Sequence, residues 1–227
     1  VINKYFLTGT DTEVGKTVVS CAILQAANKK GYQTAGYKPV ASGSKITVEG
    51  IRNDDALALQ RHSSVPLTYQ EVNPLVFVEP TSPHIVSADI KQPIDFLTLS
   101  QGLERLTTKA DWVLIEGAGG WYTPLSENTT FADWVMQENL PVILTVGVKL
   151  GCINHAVLTA KAIQHSGLTL VGWVANEIEP AGKYQTAYLE TLERMIPAPL
   201  LGIIPHLNEF YDKNNLGEYI SIDSLVN

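Results

Sequence analysis

Short apolar runs alternate with amphipathic stretches along almost the whole of this chain. Residues 5–8 form an apolar run of strand length. Residues 17–30 place Val18, Cys21, Ala22, Leu24, Gln25 and Ala26 along a helical period that Gly31 stops. The pattern then predicts a strand over 34–40, a short helix over 54–61 and a helix over 95–109. Next come a four-residue run, Trp112-Val113-Leu114-Ile115, that ends at Glu116 and a glycine cluster, and a helix over 131–138. Further on it predicts a strand over 142–148, a helix over 154–166 with Val157, Ala160 and Ile163 on one face, and a strand over 168–174. A helix over 185–195 and a strand over 200–204 complete the series. Only 65–93, rich in proline and without a period, reads as loop carrying short elements.

Strand and helix in alternation imply an α/β fold built on a mostly parallel sheet. Parallel neighbours need crossover connections, and the crossovers cover both faces with helices. Ligands of such sheets bind beyond the carboxyl ends of the strands, and the chemically distinctive residues of this chain fall there.

Thr8-Gly9-Thr10-Asp11-Thr12-Glu13-Val14-Gly15-Lys16-Thr17 lies between the first strand and the first helix. In a phosphate-binding loop of this kind, backbone N–H groups and the helix N-terminus surround an anion. The lysine neutralises β- and γ-phosphate charge, and the next hydroxyl holds magnesium. Five residues separate Gly9 from Gly15, where the standard spacing has four; the order strand, glycine loop, Gly-Lys-Thr, helix is the required one. Glu116, at the end of 112–116 and before Gly117-Ala118-Gly119-Gly120, stands where such proteins present an acidic magnesium partner. Lys38 and Ser42 stand at the end of the second strand; a lone lysine at a strand end is as readily a solvated charge as a functional one. Kinases, ligases, switches and motor ATPases share the loop, so it defines a P-loop NTPase-type fold and no single reaction.

Charge and composition narrow the partners. With 16 Lys and Arg against 23 Asp and Glu, the 227-residue chain carries a net charge of −7, which disfavours nucleic acid or an anionic membrane as a partner surface. Apolar residues at 45% and charged residues at 17% are those of a globular protein, and the length suits one domain over 1–227. The longest apolar run, 140–148, is interrupted by Pro141 and falls well short of the roughly 20 residues of a membrane helix. The first residues leave no room for a signal peptide, and Cys21 and Cys152 are far apart, so a cytoplasmic setting is expected.

Seven segments together resemble the dethiobiotin synthetase family of the biotin pathway: 9–17, 36–43 (Gly-Tyr-Lys-Pro-Val-Ala-Ser-Gly), 52–57, 79–84, 116–121, 149–155 and 173–176. The five-residue gap in the loop is that family's own form. The resemblance implies an ATP- and Mg2+-dependent cyclo-ligase that joins CO2 to 7,8-diaminononanoate to give dethiobiotin, ADP and phosphate. It implies Lys16 and Lys38 as catalytic residues, the first on the β- and γ-phosphates and the second on the carbamate. Thr17, Asp55 and Glu116 would hold magnesium. Glu13, Val14, Gly15, Val18, Gly117, Ala118 and Gly119 would surround ATP, with Asn176, Glu177, Pro205, His206 and Leu207 on the adenine side. Thr12 and Ser42 would face the diamine. In this family the enzyme is a homodimer, and Gly151, Cys152, Ile153, Asn154 and Tyr188 would hold the substrate carboxylate across the subunit boundary.

Other residues invite chemistry without requiring it. Cys152 at a helix start could be a nucleophile, but the implied reaction uses none, and packing is the expected role. The five histidines form no pair at helical metal spacing; only His206 lies in a proposed ligand loop. Trp112, Trp121, Trp134 and Trp173 fall in or beside core elements and read as packing residues. The competing readings are a switch or partition-type ATPase on the same sheet and a small-metabolite kinase. The first needs a basic or amphipathic partner surface, which 214–227 does not supply.

Overall fold

The computed structural model describes residues 2–226; Val1 and Asn227 lie outside the described residues. In chain order the elements are β1 (Asn3–Gly9), α1 (Lys16–Lys29), β2 (Thr34–Tyr37), β3 (Val40–Ala41), β4 (Lys45–Thr47), β5 (Gly50–Arg52) and α2 (Asp54–His62). Then follow α3 (Tyr69–Val72), β6 (Leu75–Val76), α4 (Pro83–Asp89), α5 (Phe96–Thr107), β7 (Trp112–Glu116), α6 (Phe131–Gln137) and β8 (Val142–Gly147). The chain closes with α7 (Cys152–His165), β9 (Leu170–Asn176), α8 (Gln185–Met195) and β10 (Leu200–Ile204), followed by two short 3-10 turns.

Six strands form one parallel sheet in the order β10-β9-β8-β1-β7-β2. The period of two along each strand divides its side chains between two cores. Phe6, Val113, Ile115, Val142 and Leu144 pack with α5, α6, α7 and α8 on one face. Tyr5, Leu7, Trp112, Leu114 and Ile143 pack with α1 and α2 on the other. β1 lies between β7 and β8, where successive connections diverge, and the crevice at that switch point is where such sheets bind ligands. Among the described residues no helix is long and apolar enough to cross a membrane.

The expected alternation is present, with instructive differences. The strand expected over 34–40 is two strands: β2 stays in the main sheet and β3 leaves it to pair with β6. The break falls at Lys38-Pro39, because Pro39 has no N–H for a ladder and Lys38 N–H turns away to Val72 O at 2.8 Å. The helix expected over 154–166 begins at Cys152, with Gly151 as its cap at φ 92°, and the strand expected over 168–174 runs over Leu170–Asn176. That shift carries Asn176 to a strand end. The stretch 44–53 contains the exposed hairpin of β4 and β5.

Candidate active site

The carboxyl ends of β1, β2 and β7 surround a cleft of about 780 Å³, lined among others by Thr12, Glu13, Gly15, Lys16, Thr17, Lys38, Ser42, Asp55, Glu116, Ala118 and Gly119. Its floor is the 9–17 loop. Gly15 caps α1 at φ 90°, a conformation that L side chains rarely adopt, and a Cβ there would lie 2.0 Å from Asn176 Nδ2. No side chain caps the helix and no acidic residue occupies its first turn, so its amides are left for an anion. Lys16 is buried and donates from Nζ to Asp11 O at 3.0 Å. Burial, with the charge of Lys38 beside it, holds its pKa down to about 8 against the pull of Glu116, Asp55 and Asp11.

Glu116 is fully buried and accepts from three directions. Thr17 Oγ1 at 2.9 Å and Lys38 Nζ at 2.8 Å meet its Oε1, while Ser20 Oγ at 2.7 Å meets its Oε2. Lys38 Nζ also lies 3.5 Å from Asp55 Oδ2 and 3.3 Å from Gly117 O. Burial alone would lower the Lys38 pKa; Glu116 and Asp55 outweigh it, and the net shift is upward, so this lysine is an ammonium. Its backbone is held at both ends, since its N–H reaches Val72 and its carbonyl accepts from Asn73 Nδ2 at 2.7 Å. Asp55 sits in the first turn of α2, whose cap Asn53 accepts from Ala56 N–H. A hydroxyl and two carboxylates thus converge beside a phosphate-binding loop. That donor set fits magnesium, which takes a few hard protein oxygens and fills its octahedron with phosphate and water.

The other expected residues lie further out. Val14 is buried behind the loop, and its carbonyl accepts from Asn176 Nδ2 at 3.0 Å, so Asn176 buttresses the loop with one amide hydrogen. Val18 points into the core under the loop. Glu177 continues the sheet edge through N–H to Ile204 O, ahead of Pro205, an exposed His206 and a half-buried Leu207. Tyr188 lines a separate depression of about 190 Å³ with Lys149 and Leu150. Gly151 and Asn154 are exposed at the start of α7, Ile153 is half-buried, and Cys152 is buried with its N–H committed to Lys149 O. None of these five lines the cleft.

Sequence reasoning did not single out several of the cleft's neighbours. Ser20 lies three residues after Thr17 on the same helix face, a spacing that could have drawn attention to it. Pro80, Thr81, Ser82 and Pro83 belong to the 79–84 segment that carries part of the family resemblance, but no site role was expected of them; they form a wall from within the apparent loop. Phe210 and Tyr211, stacked at 4.3 Å, close another side from a segment with no periodicity. Burial and the nearby Asp55, Asp54 and Glu116 push the Tyr211 phenol up to about 12.

Parallel sheet, glycine loop, buried lysine and acidic strand end define a P-loop nucleotide-binding protein. The AAA domain family model matches residues 3–214. The chain is 66% identical over 219 residues to ATP-dependent dethiobiotin synthetase BioD 1 of Escherichia coli (strain K12), covering 96% of this chain and 97% of that protein. It is 64% identical to the dethiobiotin synthetase of Pseudescherichia vulneris, covering 98% and 92%. The chain belongs to the ATP-dependent dethiobiotin synthetase family, and it is an ATP-dependent ligase of biotin biosynthesis. Solved structures similar in fold include the MinD cell division protein of Aquifex aeolicus, with TM-score 0.54, 15% identity and coverage of 97% of this chain and 89% of that one. A ParA family ATPase from Chlorobium tepidum TLS has TM-score 0.56, 10% identity and coverage of 100% and 93%. At such identities they speak for the fold alone.

Proposed function

We propose that this chain, as one domain, closes 7,8-diaminononanoate with CO2 and ATP to dethiobiotin, ADP and phosphate. One amine of the diamine adds to CO2 and loses a proton, giving a carbamate. A carbamate oxygen takes the γ-phosphoryl group from ATP, and ADP leaves. The second amine attacks the carbonyl carbon and gives up a proton, and the C–O bond to phosphate breaks, so that phosphate leaves carrying the proton as the urea ring closes. No covalent bond to the protein is required, so the side chains position reactants and stabilise charge.

The observation that carries this reading is the Lys38 ammonium, buried 2.8 Å from Glu116 and 3.5 Å from Asp55 beside the phosphate loop. There it can stabilise the carbamate oxygen that accepts the phosphoryl group. Lys16, turning from Asp11 O, would bind the β- and γ-phosphates, with the amides of Glu13, Gly15, Thr17 and Val18 around them. Thr17, Asp55 and Glu116 would hold magnesium, which supplies charge neutralisation on the phosphates. Ala118 and Gly119 would border the reacting groups, and Thr12 and Ser42 the diamine. Asn176 with 205–207 would bound the adenine. The substrate carboxylate would rest on the start of α7 and Tyr188 of a second copy in a homodimer. Two buried free thiols, Cys21 and Cys152, suit a reducing cytoplasm.

Near-full-length relatives at 62–68% identity support the ligase over a partition-type ATPase, which only fold similarity suggests. The test supplies labelled bicarbonate, the diamine and MgATP. Acid-stable label in a cyclic urea is expected. Folded, ATP-binding protein that forms none refutes the reading; phosphate retained on the organic product identifies a kinase instead, and hydrolysis stimulated by DNA or membranes identifies a switch.

A further inference from the structure

The stacked Phe210–Tyr211 wall is tied to the body of the protein from behind by a closed hydrogen-bond relay. Gly217 N–H can only donate, and it meets Gln25 Oε1 at 3.0 Å, which fixes the orientation of the Gln25 amide. Gln25 Nε2 therefore donates, to Lys213 O at 2.6 Å and to His62 Nδ1 at 3.1 Å. His62 Nδ1 must then be the acceptor, so its proton sits on Nε2, which donates to Tyr211 O at 2.9 Å. Every partner in the relay has one compatible role: an amide and a neutral imidazole from α1 and α2 clamp the backbone of Tyr211 and Lys213. His62 is buried, 8% exposed. Arg61 reaches the same carbonyl at 3.2 Å and Asp212 at 2.6 Å, but both side chains are more than half exposed, and such contacts contribute little.

We propose that His62, oriented by Gln25, is a positioning residue that holds the 208–213 segment closed against the phosphate loop and so sets nucleotide affinity. His62 does not line the cleft; it acts through Phe210 and Tyr211, which do. The proposal rests on the cleft being a nucleotide site, as read above, and not on ring closure. Without the relay the segment keeps the packing of a half-buried Phe210 against the α1–α2 core and the exposed Arg61 contacts; the closed form loses population, and apparent affinity falls by the fraction that remains closed.

The test measures equilibrium binding of a non-hydrolysable ATP analogue with magnesium, alongside steady-state kinetics. His62→Leu, which loses both ring nitrogens, should weaken analogue binding and raise the ATP KM about tenfold while kcat at saturating ATP stays within about twofold. His62→Gln retains one donor and one acceptor and should bind as the wild type does. Gln25→Ala should reproduce the His62→Leu effect, and it decides the matter if His62→Leu does not fold. Unchanged analogue affinity in the folded variant overturns the proposal, as does a fall in Tm with no change in affinity, or His62→Gln behaving like His62→Leu. Wild-type protein that binds the analogue but closes no ring would refute the assigned reaction and leave the positioning role standing.

Discussion

At the scale of single residues, the site is organised around a buried carboxylate that accepts from Lys38, Thr17 and Ser20. Glu116 is 0% exposed and Lys38 4%. Removing Lys38 leaves Glu116 buried without its cation, and removing Glu116 leaves Lys38 only the partly exposed Asp55 carboxylate at 3.5 Å; breaking a buried pair in this way typically costs about 3–5 kcal/mol, whereas removing both partners does not. Glu116→Gln and Lys38→Met should therefore each lower unfolding stability in urea, without nucleotide, by a few kcal/mol. The double variant should lose clearly less than the sum while remaining inactive. Strict additivity would mean that the pair is not coupled as its geometry requires. Part of this site was legible in the sequence, because Lys16, Thr17 and Glu116 stand at a fixed offset from a strand end, whereas the strand-end position of Lys38 fitted a solvated charge equally well and only the family resemblance gave it a role. Ser20 was not legible, since its role exists only once α1 lies across β7, and Phe210 and Tyr211 carry no pattern that points to a cleft.

At the scale of elements, irregularities in the sheet do the positioning. Pro39 ends the ladder of β2 one residue after Lys38, so this lysine stands at the site and not within a longer strand. The expected strand over 34–40 merged two elements because apolar residues flank the Lys38-Pro39 break on both sides, and periodicity does not register a missing N–H. The 65–93 region hid α3 for a related reason: a four-residue helix is too short to show a period. What fixes α3 is its capping box, in which Thr68 Oγ1 accepts from Glu71 N–H and Glu71 Oε2 accepts from Thr68 N–H. Glu71 also pairs with Lys109, and that hydrogen bond, followed by the Thr68 amide, holds its carboxyl below the usual 4.5. A depressed carboxyl contributes stability above its unfolded pKa and loses it as pH falls through the lower folded value. Glu71→Gln keeps the cap but not the charge, so it should cost about 0.5 kcal/mol at neutral pH. The gap from wild type should close as pH drops below about 4.5, followed by urea midpoints across pH 3–7. A gap independent of pH would place the effect in packing.

At the scale of the whole molecule, the sheet places two sets of expected residues apart. Lys16, Lys38, Asp55 and Glu116 meet in the cleft, whereas Tyr188 lines a depression on the α7–α8 side together with an exposed Leu150. Alternation of strands and helices was enough to anticipate the parallel sheet, but strand order and the spacing of these two sets depend on tertiary packing. A substrate with its diamine and carboxylate at opposite ends can use both sets if a second copy brings its α7 start to the mouth of the first cleft. Two-fold dimers make such contacts twice, once for each site. Complementation then follows from counting. Lys38→Ala removes the proposed carbamate ligand, and Asn154→Asp sets a carboxylate against the substrate's own. Each variant alone should be nearly inactive at low diamine. In an equal mixture allowed to exchange subunits, half the dimers are mixed, and each carries both lesions in one site and neither in the other, so about a quarter of all sites regain normal turnover. If each site were built within one chain, mixing would restore nothing, because every site would keep one lesion however the subunits paired.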